Sequence, residues 1–413
     1  VNYGFGLNID KSKNNKKLIL AAGICCNLLL LTYFKYFNFL SGLFAAHLTD
    51  PVHLPLGISF FTFQAISYLV DVYRGDAKVE KNVFNLGLYI SMFPQLIAGP
   101  IVRFKTVAEQ IHTRAVNLNQ ISIGWRIFII GLAQKVLIAN TVALPADQIF
   151  SLTPIELTTA LAWLGSLCYS LQIYFDFAGY SNMAIGLGLM MGFTFPENFS
   201  HPYIAQSITE FWRRWHKSLS GWFRDYLYIP LGGNRGSSTR TYFNLFTVFF
   251  LCGLWHGAAW TFIIWGIYHG VFLVLERLKL SDILSASWRP LRHIYLLLVV
   301  LFGWVIFRAE SIDHLIYFIQ AMFGFSQATI SNPYYLDLYI KNSTITAITL
   351  GVVFSMPVFA VLKTKIQQFK ATGHSYTTVM CSGILELFYA VIFIYALMLV
   401  ASGSYNPFIY FRF

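Results

Sequence analysis

Apolar runs long enough to cross a bilayer recur along the whole of this 413-residue chain, and no other property restricts its fold as strongly. They cover residues 18–40, 54–72, 121–142, 158–174, 183–195, 242–255, 261–275, 294–307, 345–362 and 384–401. A bilayer core offers no water to backbone N–H and C=O groups, so a segment there satisfies them internally as a helix of about 20 residues. The chain is 56% hydrophobic and 11% charged, against about 25% charged in soluble domains. These patterns predict an all-α, polytopic integral membrane protein, with roughly ten transmembrane or re-entrant helices. A single membrane domain over residues 1–413 leaves no room for a large soluble one. Residues 312–323 form a shorter apolar stretch, expected to lie partly in the interface. The chain begins at Val1 without a signal-peptide pattern, and its true N-terminus is expected upstream.

The net charge of +11 sits in short loops between apolar runs, as at residues 10–17 and at Arg74, Lys78 and Lys81. Positive-inside topology explains this better than nucleic-acid binding, while an anionic substrate or lipid head group stays compatible. Strict alternation fails at residues 82–100. That run is apolar enough to cross, yet Arg103, Lys105 and Arg114 follow it and also belong in the cytosol. Pro94, Gly99 and Pro100 interrupt it, which predicts a broken, re-entrant helix lining a cavity. Cys25, Cys26, Cys168, Cys252 and Cys381 lie in or beside apolar runs, are odd in number and form no C-x-x-C, so they read as small core residues.

Residues 207–236 are the most charged and aromatic segment, and contain FWRRWHKSLSGWFRDYLYIPLGGNRG. A helix over residues 210–226 would place Trp212, Trp215, Leu219, Trp222 and Tyr226 on one stripe, with Glu210, Arg213, Arg214, Lys217 and Arg224 opposite. That predicts an amphipathic helix in the membrane interface, capped by Ser207 or Thr209 and ended by a turn over residues 229–234. An anchor helix has no need of His216 on its flank, which leaves a structural and a catalytic reading open.

Two histidines interrupt NLFTVFFLCGLWHGAAWTFIIWGIYHG, residues 244–270. An ionisable group inside a span is costly and points to function. A buried His256 should be neutral at pH 7 and able to take a proton from a hydroxyl. Gly253, Gly257, Ala258 and Ala259 would let a helix or slender ligand approach it. A core histidine bonded to a carbonyl is the competing reading. His269 reads as structural. The two rings stand about 220° apart around a helix with no Cys or carboxylate cluster near, so no metal site is expected. In QIYFDFAGYSN, residues 172–182, Asp176 needs a partner, such as an arginine or a backbone N–H, and reads as structural or site-supporting.

Together, FWRRWHKSLSGWFRDYLYIPLGGNR, LCGLWHGAAW and QIYFDFAGYSNMAIGLG resemble the membrane-bound O-acyltransferase (MBOAT) family. FPQLIAGPIVRF, FPENFSHPY and YNPFIYFRF resemble its bacterial alginate O-acetylation branch. The resemblance implies a fold pinched at its centre, where a cytosolic and an extracytoplasmic funnel meet, and further spans before Val1. It implies His256 as the catalytic residue and His216 as the second family histidine. Trp212, Arg213, Arg214, Trp215, Lys217, Asp176, Asn234, Arg235 and Trp255 become candidate substrate-binding residues. The implied reaction moves an acetyl group from a cytosolic thioester, acetyl-CoA or an acyl carrier, toward an exported polysaccharide. Periplasmic partner proteins and the bacterial inner membrane belong to that picture, and no cofactor is bound. Arg213, Arg214, Lys217, Arg224 and Arg235 would attract CoA phosphates, or serve topology alone. D-alanyl transfer to teichoic acid and a transporter without chemistry are the alternatives. The third motif departs from the family at Asn182, where Asp is frequent, so a carboxylate there is not essential.

Overall fold

A computed structural model describes residues 1–43, 52–97, 99–326, 328, 335–358, 364, 375–403 and 405–407. The side chain of Cys381 and the residues 408–413 of the terminal motif lie outside the described set, as do residues 359–362 of the predicted 345–362 span. The described residues form helices and no strands. In chain order they are α1 (Asn2–Lys11), α2 (Lys16–Leu43), α3 (Ile58–Arg74), α4 (Val83–Ser91), α5 (Phe93–Leu96), α6 (Phe104–Thr113), α7 (Leu118–Phe150) and α8 (Thr159–Met190). There follow α9 (Ile208–Arg214), α10 (Lys217–Phe223), α11 (Ser238–His256), α12 (Trp260–Ala286), α13 (Arg289–Arg308), α14 (Ile312–Met322), α15 (Asn342–Phe354) and α16 (Ser375–Ala401). Five stretches, α2, α7, α12, α13 and residues Gly383–Ala401 of α16, are long and apolar enough to cross a bilayer. This is a multi-pass membrane protein.

The predicted spans 158–174 and 183–195 are one 32-residue helix, α8. Their polar interruption does not break it because α7 supplies the partners. Lys135 Nζ lies 2.5 Å from Asp176 Oδ1, and Asn182 Nδ2 donates to Gln134 Oε1 at 2.7 Å. An ammonium from the neighbouring helix, rather than an arginine of the basic segment, meets Asp176. Asn182 suits a glutamine carbonyl that an aspartate could not donate to without a proton. A Cβ on Gly131 would stand 2.5 Å from the carbonyl of Gly179, so α7 and α8 touch backbone to backbone there.

Residues 82–100 are broken, as their prolines and glycine predict. The segment folds as α4 and the single turn α5, with Leu96 carbonyl against the start of α3 at Gly57. Its exit residues are tied to the basic face: Arg103 pairs with Asp225 at 2.5 Å and Lys105 with Asp76 at 3.0 Å. Arg74 reaches the carbonyl of Asp225 from the end of α3. On α14, Leu315, Phe318 and Met322 are buried in the protein core, while Ile316 stays exposed.

Candidate active site

The segment expected as one helix over residues 210–226 is instead three pieces. Helix α9 ends at Arg214, Trp215 is extended, and His216 takes a left-handed conformation with φ of 42°. Helix α10 follows, then a π turn over Arg224–Tyr228. The cause is a competing strand of polar contacts from residues 198–200. Lys217 N donates to the carbonyl of Asn198 at 2.8 Å, and Ser200 N donates to that of Arg214 at 3.0 Å. Ser207 caps α9 as expected, accepting from Glu210 N at 3.0 Å. Glu276 adds a second tie, taking the N–H groups of Ile208 and Thr209 at 2.5 and 2.8 Å.

The aromatic stripe therefore faces protein and not lipid head groups. Trp212, Trp215, Leu219 and Trp222 are buried. Trp222 stacks on Phe63 with centroids 3.7 Å apart, and Trp212 meets Trp265 and His269 edge to face. Trp215 packs on Phe211, Phe199 and Trp304.

This packing sets His216 fully inside the protein. Its Nδ1 lies 3.1 Å from Asn198 Oδ1, and its Nε2 has no hydrogen-bond partner among the described residues. Asn198 Oδ1 also accepts from Ser218 N and Ser218 Oγ, and Asn198 Nδ2 donates to Ser181 Oγ. A backbone N–H can only donate, so the atom facing it is the amide oxygen. His216 must then carry its proton on Nδ1, which leaves the Nε2 lone pair unengaged.

His256 ends α11. Gly253 on the preceding turn lets α12 come close: a Cβ there would meet the carbonyl of Phe262 at 2.3 Å. The ring stands edge to face with Trp255, Trp265 and Phe307, at 4.9, 5.1 and 5.1 Å. Trp255 also lies 6.4 Å from His216, so one indole borders both histidines. His256 is only half-buried. It lines a cavity of about 50 Å³ with Lys35, Pro55, Ser59, Ile97 and Trp255, at the end of the bundle away from the basic loops.

Two further cavities open on the basic side. A cleft of about 710 Å³ is lined by Arg103, Glu197, Arg213, Lys217 and Arg224, among others. A mostly apolar groove of about 240 Å³ shares Trp212, Arg213, Ser220 and Arg224 with it and runs in along Leu245, Val248, Phe249 and Cys252. Those four residues and His256 step by three and four along α11, making one stripe. The groove ends at Cys252, one helical turn before His256. Asp225 beside the cleft is held below the usual carboxylate range. Its partial burial would raise it, but the Arg224 hydrogen bond and the Arg103 charge outweigh that.

The profile of the MBOAT, membrane-bound O-acyltransferase, family matches residues 76–319, more than half of the chain. The chain belongs to the membrane-bound O-acyltransferase family. It is an acyltransferase. A probable alginate O-acetylase AlgI of Azotobacter vinelandii is 48% identical over 80% of this chain and 68% of its own length. A probable alginate O-acetylase AlgI of Pseudomonas putida is 41% identical over 100% of this chain and 88% of its own length. A Helicobacter pylori peptidoglycan O-acetyltransferase is 39% identical over 78% of this chain and 68% of its own length.

Within this MBOAT fold the sequence candidates divide. His256, His216, Trp255, Trp212, Trp215, Arg213 and Lys217 gather around the two histidines and the basic cleft. Arg214 is turned back on Glu210 and the carbonyl of Ser200. Asn234 is exposed and accepts from Tyr228, and Arg235 is exposed on the same turn. Asp176 points to Lys135, while its neighbour Phe177 touches the His216 ring at 4.5 Å. Lys35, Asn198 and Glu276 escaped the residue-by-residue reading, and Arg103 entered it only as a topology charge. Lys35 had a signal, an ammonium inside an apolar run. Asn198 stood within FPENFSHPY, with nothing local to mark it.

Proposed function

We propose that this acyltransferase moves an acetyl group from cytosolic acetyl-CoA to a hydroxyl on the far side of the bacterial cytoplasmic membrane, for O-acetylation of an exported polysaccharide. The observation that carries the reading is the stripe on α11. A basic cleft leads into a slender apolar groove that ends one turn from His256, and His256 lines a cavity open at the other end of the bundle. Such a cleft suits the phosphates of a CoA, and the groove suits its pantetheine arm. Arg103, Arg213, Lys217 and Arg224 take the phosphates in this reading, while Arg214 and Arg235 serve packing and topology.

A ring nitrogen of His256 takes the hydroxyl proton as the oxygen attacks the thioester carbonyl. The tetrahedral adduct collapses, the C–S bond breaks, and the imidazolium returns the proton to the leaving thiolate. The products are an ester and CoA. A thioester is already activated, so these residues suffice for the proton bookkeeping. Trp255, Trp265 and Phe307 hold the ring against rotation. His216 offers its Nε2 lone pair to a donor group of either substrate. The acceptor is the exported glycan itself or a hydroxyl of an extracytoplasmic partner protein that relays the acetyl group.

The test supplies labelled acetyl-CoA to inside-out membrane vesicles of the host, which retain partner proteins and exported polysaccharide. Label is expected in the glycan or in a partner. His256→Ala should lower transfer by ~10²–10⁴-fold, the usual contribution of a general base. Transfer at the wild-type rate by that variant would refute the role. Uptake of labelled D-alanine from a carrier, with acetyl-CoA inert, would favour the teichoic acid reading, and binding without transfer would favour a transporter.

A further inference from the structure

The last turn of any α-helix leaves carbonyls without intrahelical partners. In α11 those carbonyls belong to Leu254, Trp255 and His256, because Gly257 is extended and α12 begins only at Trp260. Their partners come from two adjacent residues of α2. Lys35 Nζ donates to the carbonyl of Trp255 at 2.5 Å and to that of His256 at 2.9 Å. Tyr36 Oη donates to the carbonyl of Leu254 at 2.5 Å.

An ammonium has three N–H groups. The third of Lys35 goes to Ser59 Oγ at 3.1 Å, on the first turn of α3. Lys35 therefore lines the His256 cavity with every donor already committed, and has none to offer a substrate. Successive residues of a regular α-helix point about 100° apart. Both side chains that reach this helix end lie in a π turn, Thr32–Tyr36, a local widening of the helix often found at functional sites. A charge at this depth is costly to keep, and the cation also suits the negative end of the α11 dipole.

We infer that Lys35 is a positioning residue for acyl transfer: its three hydrogen bonds to Trp255, His256 and Ser59 fix the helix end that carries the His256 ring. The inference rests on the proposed role of His256. A reacting group displaced by about 1 Å loses on the order of 10²-fold in rate. The donor cleft and groove are lined by residues 101–106 and 196–197, by α9 to α12 and by the Arg224–Tyr228 turn, and by no described residue of α2, so donor binding should not follow.

The test measures transfer from labelled acetyl-CoA in the same membrane vesicles, with bound acetyl-CoA counted per protein to report the folded fraction. Lys35→Met is expected to lower kcat by ~10²-fold, with KM and binding stoichiometry for acetyl-CoA unchanged. A merely structural loss would instead lower the stoichiometry and leave kcat per binding site intact. Adding propylamine to Lys35→Ala should restore part of kcat. Wild-type kcat in Lys35→Met overturns the inference. If that variant does not fold, Tyr36→Phe, which removes one carbonyl tie of three, must lower kcat at unchanged KM, and wild-type kcat there overturns it equally. His256→Ala runs alongside. Full activity in that variant defeats the functional reading, whereas its inactivity with an unaffected Lys35→Met defeats only the present inference.

Discussion

Replacing Asn198 by leucine removes the support of His216 while keeping most of the side-chain volume. The amide is buried at 1% exposure and makes four hydrogen bonds: from His216 Nδ1, Ser218 N and Ser218 Oγ, and to Ser181 Oγ. Each bond is worth about 1 kcal/mol net, so the loss is about 4 kcal/mol. That figure is uneven in its parts. Ser218 Oγ keeps the bond it accepts from Ile101 N, and only its O–H loses an acceptor. The His216 N–H has no other partner within reach among the described residues apart from Ser218 Oγ at 3.5 Å. Asn198→Leu should therefore unfold at a markedly lower denaturant concentration in detergent micelles, and transfer in vesicles should fall with it. The second readout is spectroscopic. Imidazole ¹⁵N shifts of the wild-type protein should show His216 as the Nδ1–H tautomer, and that preference should vanish in the variant. An Nε2–H tautomer in the wild type would refute the reasoning directly, because Asn198 Oδ1 would then face a lone pair.

Two further outcomes follow from the basic face. Arg213→Glu with Arg224→Glu should raise the KM for acetyl-CoA and leave kcat nearly unchanged, since both side chains line the cleft and neither approaches His256; steady-state kinetics in vesicles across acetyl-CoA concentrations checks this. Asp225 has its carboxyl held low by Arg224 and Arg103, against the opposing effect of its burial, so its ionised form stabilises the fold. That contribution is fully present above the ordinary carboxylate range, about pH 4, and is lost as pH falls through the lower folded value. Asp225→Asn should melt below the wild type at pH 7, and the gap should close on acidification, as followed by thermal melts in detergent.

The apolar runs made the membrane class legible, because hydrophobic length alone separates a bilayer span from a core helix. The break within residues 82–100 was legible for a different reason: Pro94, Gly99 and Pro100 interrupt an otherwise apolar run. What periodicity could not show was the interruption at His216. The residues from Trp212 to Tyr226 satisfy a helical stripe, and the distant residues Asn198 and Ser200 stop the helix. Burial of the tryptophans was hidden for a related reason. A stripe of aromatic rings looks alike whether it meets lipid or the rings of α3, α12 and α13. Asp176 misled toward a boundary between spans, since a lone carboxylate in an apolar run reads as an interruption until Lys135 is placed beside it. The α11 stripe could be counted in the sequence, but its meaning needed the groove on one side and the cavity on the other.

Four π turns account for most of what stayed hidden, and they share a use. Thr32–Tyr36 carries the Lys35 and Tyr36 clamp on α11. Gln134–Ala139 carries Lys135 and Gln134, which receive Asp176 and Asn182 of α8. Arg224–Tyr228 carries Arg224 and also Asp225, whose carboxylate binds both Arg224 and Arg103 at the basic cleft. Glu276–Leu280 opens with Glu276, which holds the start of the helix leading to His216. A π turn inserts a residue and shifts the face of everything after it, so a polar side chain can leave the lipid-facing pattern and enter the protein. In a bilayer that shift has a further consequence. A charged residue inside a span must find its partner within the protein, as Lys35, Lys135 and Glu276 do, each against an element that builds or borders the site. Removing the extra residue from the α2 turn, by deleting Tyr33, should return Lys35 toward lipid and abolish transfer even though Lys35 and His256 are both retained; transfer at the wild-type rate by that deletion would mean that the position of the ammonium, and hence the clamp, is not what orients His256.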